Sequence, residues 1–304
     1  MATNGKLERP RVACEISGTR VIAARATQTR DAVDLFTSRR SPANLVTPSV
    51  HGSNVADAHA LTTEIQSALE AVSGKLRDVS LVVPDSAVRV NILDFDTLPP
   101  IEEEARAVVR LRFRRNVPFE VDDAAVSFHR LPSNGPEIRV LGVAMPKVAL
   151  DDYEGAVRSA GYLPGVVLPA TLAALGAIDT SMPCMVVRHV PPASDGGAST
   201  TTIVIVSGEN LLLYRSIENT GEMNPERVLD EVYPSLVFYE DNYGTRLGTA
   251  YFDGIELPDD LLISFEAQTG TTISAFPQLT MGQNLSGEPL SGGALAPLQG
   301  VLLG

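Results

Sequence analysis

The chain has 304 residues, a formal net charge of −13, 44% hydrophobic and 20% charged residues, the make-up of an ordinary globular protein long enough for two compact lobes. No run reaches the roughly eighteen consecutive apolar residues of a membrane-spanning helix. The opening MATNGKLERP lacks the apolar centre of a secretory leader, so a cytosolic protein is expected. An acidic chain with no basic patch excludes nucleic acid as a partner. The charge is uneven: from Ser216 onward there are 13 acidic residues and 2 arginines, whereas residues 1–40 carry 8 Lys or Arg and 4 Asp or Glu. Such a dipole suits either solubility or an amino-terminal lobe turned toward an anionic membrane. Cys14 and Cys184 lie in separate apolar runs without metal-ligand spacing and read as small buried thiols.

In chain order, Arg11–Ile16 and Arg20–Thr27 are apolar strands joined by the turn Ser17-Gly18-Thr19. Residues 37–56, broken by Pro42, Pro48 and Gly52, read as an extended surface segment. Asp57 opens a helix to about Leu76 whose Leu61, Ile65, Ala68, Leu69 and Val72 form one face, with Gly74 as its stop. Two strands follow (Val79–Val83 and Val88–Phe95), separated by Pro84-Asp85. A helix over Ile101–Arg115 has an apolar face of Ile101, Ala105, Val108 and Val109, with Arg112 projecting from that face. Its glutamates lie first and its arginines last, as the helix dipole favours, and Glu102 is spaced to pair with Arg106. Strands at Ala124–Leu131 and Ile138–Met145 form a hairpin around Ser133-Asn134-Gly135-Pro136. A helix (Val148–Ala160), a short strand (Val166–Leu168) and a helix from Pro169 complete this half.

The second half opens with Cys184–Val190, Thr201–Ser207 and Leu211–Ile217, repeating the strand-turn-strand order of the start. A helix capped by Asn224, with Pro225 at its first position, buries Val228, Val232, Leu236 and Tyr239; Pro234 inside it predicts a kink. A strand (Thr249–Phe252), a helix (Asp259–Thr269), a glycine-bearing linker and the apolar stretch Leu295–Leu303 close the chain.

Several short signatures occur in a fixed order. Leu98-Pro99 precedes the acidic helix start Glu102–Glu104. Val117-Pro118-Phe119 ends that helix, Asp122-Asp123 precedes the next strand, and Leu213-Tyr214-Arg215-Ser216-Ile217 is followed by Gly221-Glu222. This set resembles the PilM family of type IV pilus assembly proteins, actin-like relatives of the cell-division protein FtsA. The resemblance implies an α/β fold of two actin-like (ribonuclease H-like) lobes at residues 1–180 and 181–304, with a small subdomain inserted at roughly 88–160. It also implies a cytoplasmic scaffold that binds a short peptide of an inner-membrane, PilN-like partner in a groove, expected where the helix Ile101–Arg115 and the stop Val117-Pro118-Phe119 meet the first lobe; Arg112, by its spacing along the apolar face, is the candidate contact there. Membrane association would then be indirect, with self-association a further option.

Actin-like ATPases hold the phosphates between two hairpin turns, where a carboxylate reaches hydrated Mg²⁺ and free backbone amides meet the phosphates. Here the first turn reads Glu15-Ile16-Ser17-Gly18-Thr19, and the second strand carries Arg188 close to the expected aspartate. The adenine segment reads Phe252-Asp253-Gly254-Ile255. No cofactor is therefore expected. The alternative keeps ATP and Mg²⁺ in the cleft, with Asp195-Gly196-Gly197 as substitute phosphate loop and Ser17, Gly18, Thr19 and Gly254 around the nucleotide. That reading makes the chain an ATPase or a sugar-kinase-like phosphotransferase. A GspL-like secretion scaffold is the third. The four histidines, His51, His59, His129 and His189, form no metal or catalytic spacing.

Overall fold

The structure, a computed structural model, describes residues 9–133, 135–194, 197–221, 223–277 and 281–304. Its first sheet is built from β1 (Val12–Ile16), β2 (Arg20–Ala26), β3 (Val33–Arg40), β4 (Asp78–Val83) and β8 (Leu163–Pro169). The strand order is β3-β2-β1-β4-β8, antiparallel up to β1 and parallel beyond it. The second sheet consists of β9 (Cys184–Val190), β10 (Ser199–Ser207), β11 (Asn210–Asn219), β12 (Thr249–Asp253) and β13 (Thr272–Ala275). It repeats the pattern in the order β11-β10-β9-β12-β13, with the same change of direction. This doubled topology is the actin-like fold that the resemblance implies.

Between the halves of the first lobe sit β5 (Arg89–Phe95), α2 (Glu102–Phe113), β6 (Ala124–Arg130) and β7 (Ile138–Pro146), whose strands form a separate antiparallel sheet in the order β5-β7-β6. This insertion has its own core, in which Val109 and Phe113 of α2 meet Leu93, Val126 and Val140, and Ala105 of the same helix is also buried. The stripe differs from the expected one. Ile101 is exposed, Phe113 is fully buried, and Arg112 faces solvent, because a helix lying on a small sheet buries the narrow i, i+4, i+8 row. The expected Glu102–Arg106 pair forms, at 2.6 Å.

Around the first sheet, α1 (Ala58–Ser73) and α3 (Lys147–Ser159) cover one face. Asp57 caps α1 by accepting from the amides of His59 and Ala60, and Gly74 ends it. Tyr153 and Val157 place α3 in the lobe's own core rather than in the insertion's. The opposite face is covered by α4 (Ala170–Ala174) and by α7 (Gly292–Leu303). The second sheet packs one face on α5 (Pro225–Tyr243) and α6 (Asp259–Thr269); α5 runs on through Pro234 with its expected stripe buried.

Two elements depart from the sequence reading. β3 takes in the first four residues (37–40) of the segment expected to be an irregular surface run, whose remainder (41–56) is irregular as expected, and β14 (Met281–Asn284) returns the chain to the first lobe by pairing with β3. The last apolar stretch then forms α7, where Leu295, Leu298, Val301 and Leu302 pack on the first sheet while Ala296 meets the second. A helix apolar on all sides is stable only when surrounded by protein, and here it is wedged between the lobes. The first lobe therefore includes residues 281–304, which the sequence assigned to the second. Among the described residues no helix is long and apolar enough to cross a membrane. Both cysteines are buried free thiols, and burial pushes Cys184 up to about 11.

Candidate functional site

The two sheets face each other across a cleft of about 260 Å³, and strand alternation decides what lies at its floor. In β1, Cys14 and Ile16 face α1, so Ala13 and Glu15 point the other way, Ala13 against α4 and α7 and Glu15 toward Arg188 of the second lobe. Along β9, Met185 and Val187 face α5 and α6, which turns Cys184, Val186 and Arg188 toward the first lobe. Phe252 of β12 faces α5 and α6, and Asp253, its neighbour in sequence, faces the cleft. Register then brings Asp253 and Arg188 side by side on paired parallel strands.

The result is a buried charged strap. Arg188 donates from Nε to Asp253 Oδ2 at 3.3 Å, and its Nη2 lies 3.9 Å from Glu15 Oε1 across the lobes. Glu15 is 7% exposed and Arg188 6%. Burial alone would lower the arginine's pKa, but Asp253 and Glu15 hold it above its ordinary value. The network is incomplete: Glu15 Oε2 and Arg188 Nη1 are buried without a hydrogen-bond partner among the described residues. A second link lies beside it. Asp85, in the turn after β4, accepts from the Thr171 amide and hydroxyl (3.1 and 2.6 Å) and from the Tyr214 hydroxyl of β11 (3.2 Å). Burial and Asp85 raise the Tyr214 phenol well above its ordinary value, so it remains a proton donor. Arg89 of the insertion bonds Glu218 of the second lobe at 2.8 Å.

The first turn is closed upon itself. The Ser17 hydroxyl accepts from the amides of Thr19 (3.4 Å) and Arg20 (3.1 Å), and the Ser17 amide donates to the Arg20 carbonyl. The loop after β9 leans on this turn, so that a Cβ on Gly18 would lie 2.6 Å from the Ala193 methyl, with no room for it. Of the substitute phosphate loop, Gly197 lines the cleft, while Asp195 and Gly196 lie outside the described residues. Gly254 adopts φ +85° and passes so close to the His189 carbonyl that a side chain would overlap it. Its conformation is therefore required by the β9–β12 junction, with or without a nucleotide. Among the described residues no group of three His, Cys, Asp or Glu side chains is placed to hold a metal ion.

Arg112 lies outside the cleft, on the insertion. Its guanidinium sits 6.0 Å from the centre of the Phe95 ring, beside a surface groove lined by Asp94, Asp96 and Glu137. Val117 and Phe119 are half-buried against the insertion's core, and Pro118 is exposed. Arg110 of α2 donates to the carbonyls of Val121 and Ala124. The sequence reading missed Asp85 and Tyr214 as members of the cleft, and it placed Asp253 in the adenine segment without seeing it as the counter-ion of Arg188. The available signal was Arg188 itself, since a cation continuing the face of Cys184 and Val186 needs a buried counter-ion.

Burial, opposed by Arg188, moves Glu15 from its ordinary 4.5 up to about 7. The folded protein thus holds a proton that the unfolded chain has released between these values. Its stabilising contribution is complete below about pH 4.5 and is lost as pH rises through about 7. Urea midpoints measured from pH 4.5 to 8 are expected to fall more steeply in the parent than in Glu15→Gln. Parallel curves would show that Glu15 is ionised throughout.

No family model matches the chain, and no curated protein matches it. Solved structures do. A PilM–PilN type IV pilus biogenesis complex matches with a TM-score of 0.73 at 20% identity over 97% of this chain and 98% of that one. The cytoplasmic domain of EpsL, an inner-membrane component of the type II secretion system of Vibrio cholerae, matches with a TM-score of 0.52 at 13% identity, covering 96% and 94%.

Proposed function

We propose that this chain is a PilM-like assembly platform of a type IV pilus or related secretion system, acting at the cytoplasmic face of the inner membrane through a peptide of a PilN-like partner. The observation that carries this reading is the match to the PilM–PilN complex over nearly the whole of both chains, together with the ordered signatures from Leu98 to Asp123. The EpsL likeness, weaker but also nearly full-length, supports the same class of machine.

In this proposal the cleft is a strut rather than a nucleotide site. MgATP does not fit the residues present. A carboxylate for hydrated Mg²⁺ has to be free, yet Glu15 faces Arg188. Amides for phosphate have to be open, yet those of Thr19 and Arg20 are bonded within their own turn. The two turns have to stand apart, yet Ala193 rests on Gly18. Phosphoryl transfer is mostly the positioning of phosphates and metal, so the arrangement favours a scaffold over an ATPase.

The groove beside Arg112 is the proposed peptide site. Three carboxylates line it with one arginine, so an extended segment carrying a positive side chain suits it, with Arg112 bonding a peptide carbonyl. The test is calorimetry with the amino-terminal peptides of inner-membrane proteins encoded beside this chain, with and without MgATP. One peptide is expected to bind equally in both conditions. Arg112→Ala should weaken it about tenfold, which is about 1.4 kcal/mol, and Arg106→Ala should bind like the parent. Binding by no peptide, or ATP turnover above that of an Arg188 variant, overturns the reading.

A further inference from the structure

The cleft and the Arg112 groove leave one edge of the first sheet unused. β8 is the last strand on its side, bonded to β4 and to no further strand among the described residues. Proteins guard such edges with charged side chains, prolines or a covering element, because the outer backbone groups otherwise accept another strand. The sequence of β8, LPGVVLP, carries no charge. Its prolines stand at the second and last positions, so they remove amides only near the ends, and the run from Gly165 to Leu168 keeps all of its N–H groups. Leu163 is 60% exposed and Val166 39%, large apolar areas for a strand of a sheet whose two faces are covered by helices.

Strand alternation builds a pocket against this edge. Val79, Leu81 and Val83 of β4 face α1, which turns Ser80 toward α4 and α7. On that same face Val166 and Leu168 of β8, with Leu172 and Val301 opposite, line a pocket of about 320 Å³. Ser80 also lines it, 1% exposed, and its hydroxyl has no hydrogen-bond partner among the described residues. The charged side chain in the lining is Arg9, which is exposed, donates to the Gly304 carbonyl at 2.6 Å and takes part in no ion pair among the described residues. At the start of the edge Arg77 and Asp78, both exposed and neither in an ion pair among the described residues, offset each other, so the net charge beside the pocket is that of Arg9. Apolar walls, a buried hydroxyl in want of a partner and a cation describe an occupant with an apolar side chain and a carboxylate. The open backbone beside them describes one that is extended. We propose that the β8 edge receives an extended segment of another protein as an added strand, with an apolar side chain in the pocket between β8 and α7 and a carboxylate two residues along, on the same face, against Arg9. A chain of net charge −13 repels an acidic segment over most of its surface, and this edge attracts it. The contact does not depend on the Arg112 groove, so either can fail without the other.

The probe is a labelled ten-residue peptide that alternates threonine with valine, leucine and glutamate, the leucine and glutamate two residues apart. Fluorescence anisotropy with the full chain is expected to give a Kd of about 100 µM, and hydrogen exchange should slow at amides within Gly165–Leu168 when the peptide is present. Val166→Glu sets a charge on the edge and should weaken binding at least about tenfold. Arg9→Glu should weaken it similarly, and a peptide with lysine in place of the glutamate should bind that variant as the original binds the parent. Both side chains are largely in solvent, so each variant should melt within a few degrees of the parent, and the charge exchange separates a lost contact from a lost fold. Absence of binding up to about 1 mM overturns the proposal, as do variants that bind like the parent or a charge exchange that restores nothing. Binding that protects residues 94–97 and leaves β8 unchanged assigns the peptide to the Arg112 groove and overturns it too. Slow exchange at Gly165–Leu168 in the protein without peptide would show that the edge is already covered, by its own chain or by a second copy, and leaves no place for the added strand.

Discussion

Replacing Arg188 by methionine is expected to destabilise the protein by about 3–5 kcal/mol, the usual cost of leaving a buried charge without its partner. The methionine fills much of the same volume, so the loss comes from charge and not from a cavity. Without the guanidinium, Glu15 and Asp253 share one buried region with Asp85 close enough to repel Glu15. Removing that cation raises the Glu15 pKa further, so the variant's deficit should widen as pH rises from 5 to 8. Adding Glu15→Gln and Asp253→Asn to Arg188→Met removes the stranded charges and should recover more than half of the loss. The parent network is already incompletely satisfied, with Glu15 Oε2 and Arg188 Nη1 unpaired among the described residues. A neutral replacement is therefore no great sacrifice. Urea denaturation of the single, double and triple variants forms the cycle that measures this coupling. A loss below about 1 kcal/mol for Arg188→Met would mean that water enters the cleft and solvates the charges, and that the lobes are not fastened there.

That strap also marks how far a sequence can be read. The helices with a clear period and a cap were legible: Asp57 and Gly74 bracket α1, and Asn224 with Pro225 opens α5. The strands that are apolar on both faces were legible as well, because both sheets are covered by helices. β3 was harder, since its Thr37, Ser38, Arg39 and Arg40 resemble a loop until β2 pairs with them. β14 has four residues and is a strand only because β3 lies beside it. The same is true of α7, whose lack of a polar face conveys burial but not where, and its lodging between two sheets depends on elements nearly the whole chain away. In the cleft, alternation within each strand fixed which way Glu15, Arg188 and Asp253 point. Their meeting is set by the approach of two lobes, which no local pattern encodes. On α2 the period was right but its phase was off: including Ile101 in the apolar face and omitting Phe113 rotated the stripe and aimed Arg112 inward.

Gly254→Ala is expected to cost more than about 3 kcal/mol, although the change adds one methyl group. Two effects combine at this position. The backbone φ of +85° lies in the region that side chains rarely adopt, and strain of this kind costs about 1–3 kcal/mol. The added Cβ would also overlap the carbonyl of His189, held in β9 by its pairing to β10. Relief requires β9 and the end of β12 to move apart, and that movement separates Arg188 from its cross-strand neighbour Asp253. The strain can be isolated at Gly208, which turns the β10–β11 hairpin with φ +58° and has open space where a Cβ would stand. Gly208→Ala should therefore lose only about 1 kcal/mol or slightly more, while Gly254→Ala loses that and the cost of the overlap. Adding Arg188→Met to Gly254→Ala should cost less than it does in the parent, because the displaced strand has already weakened the ion pair. Equal losses at the two glycines would show that β9 and β12 part without resistance. The close approach at His189 would then have no part in holding the charged floor of the cleft together.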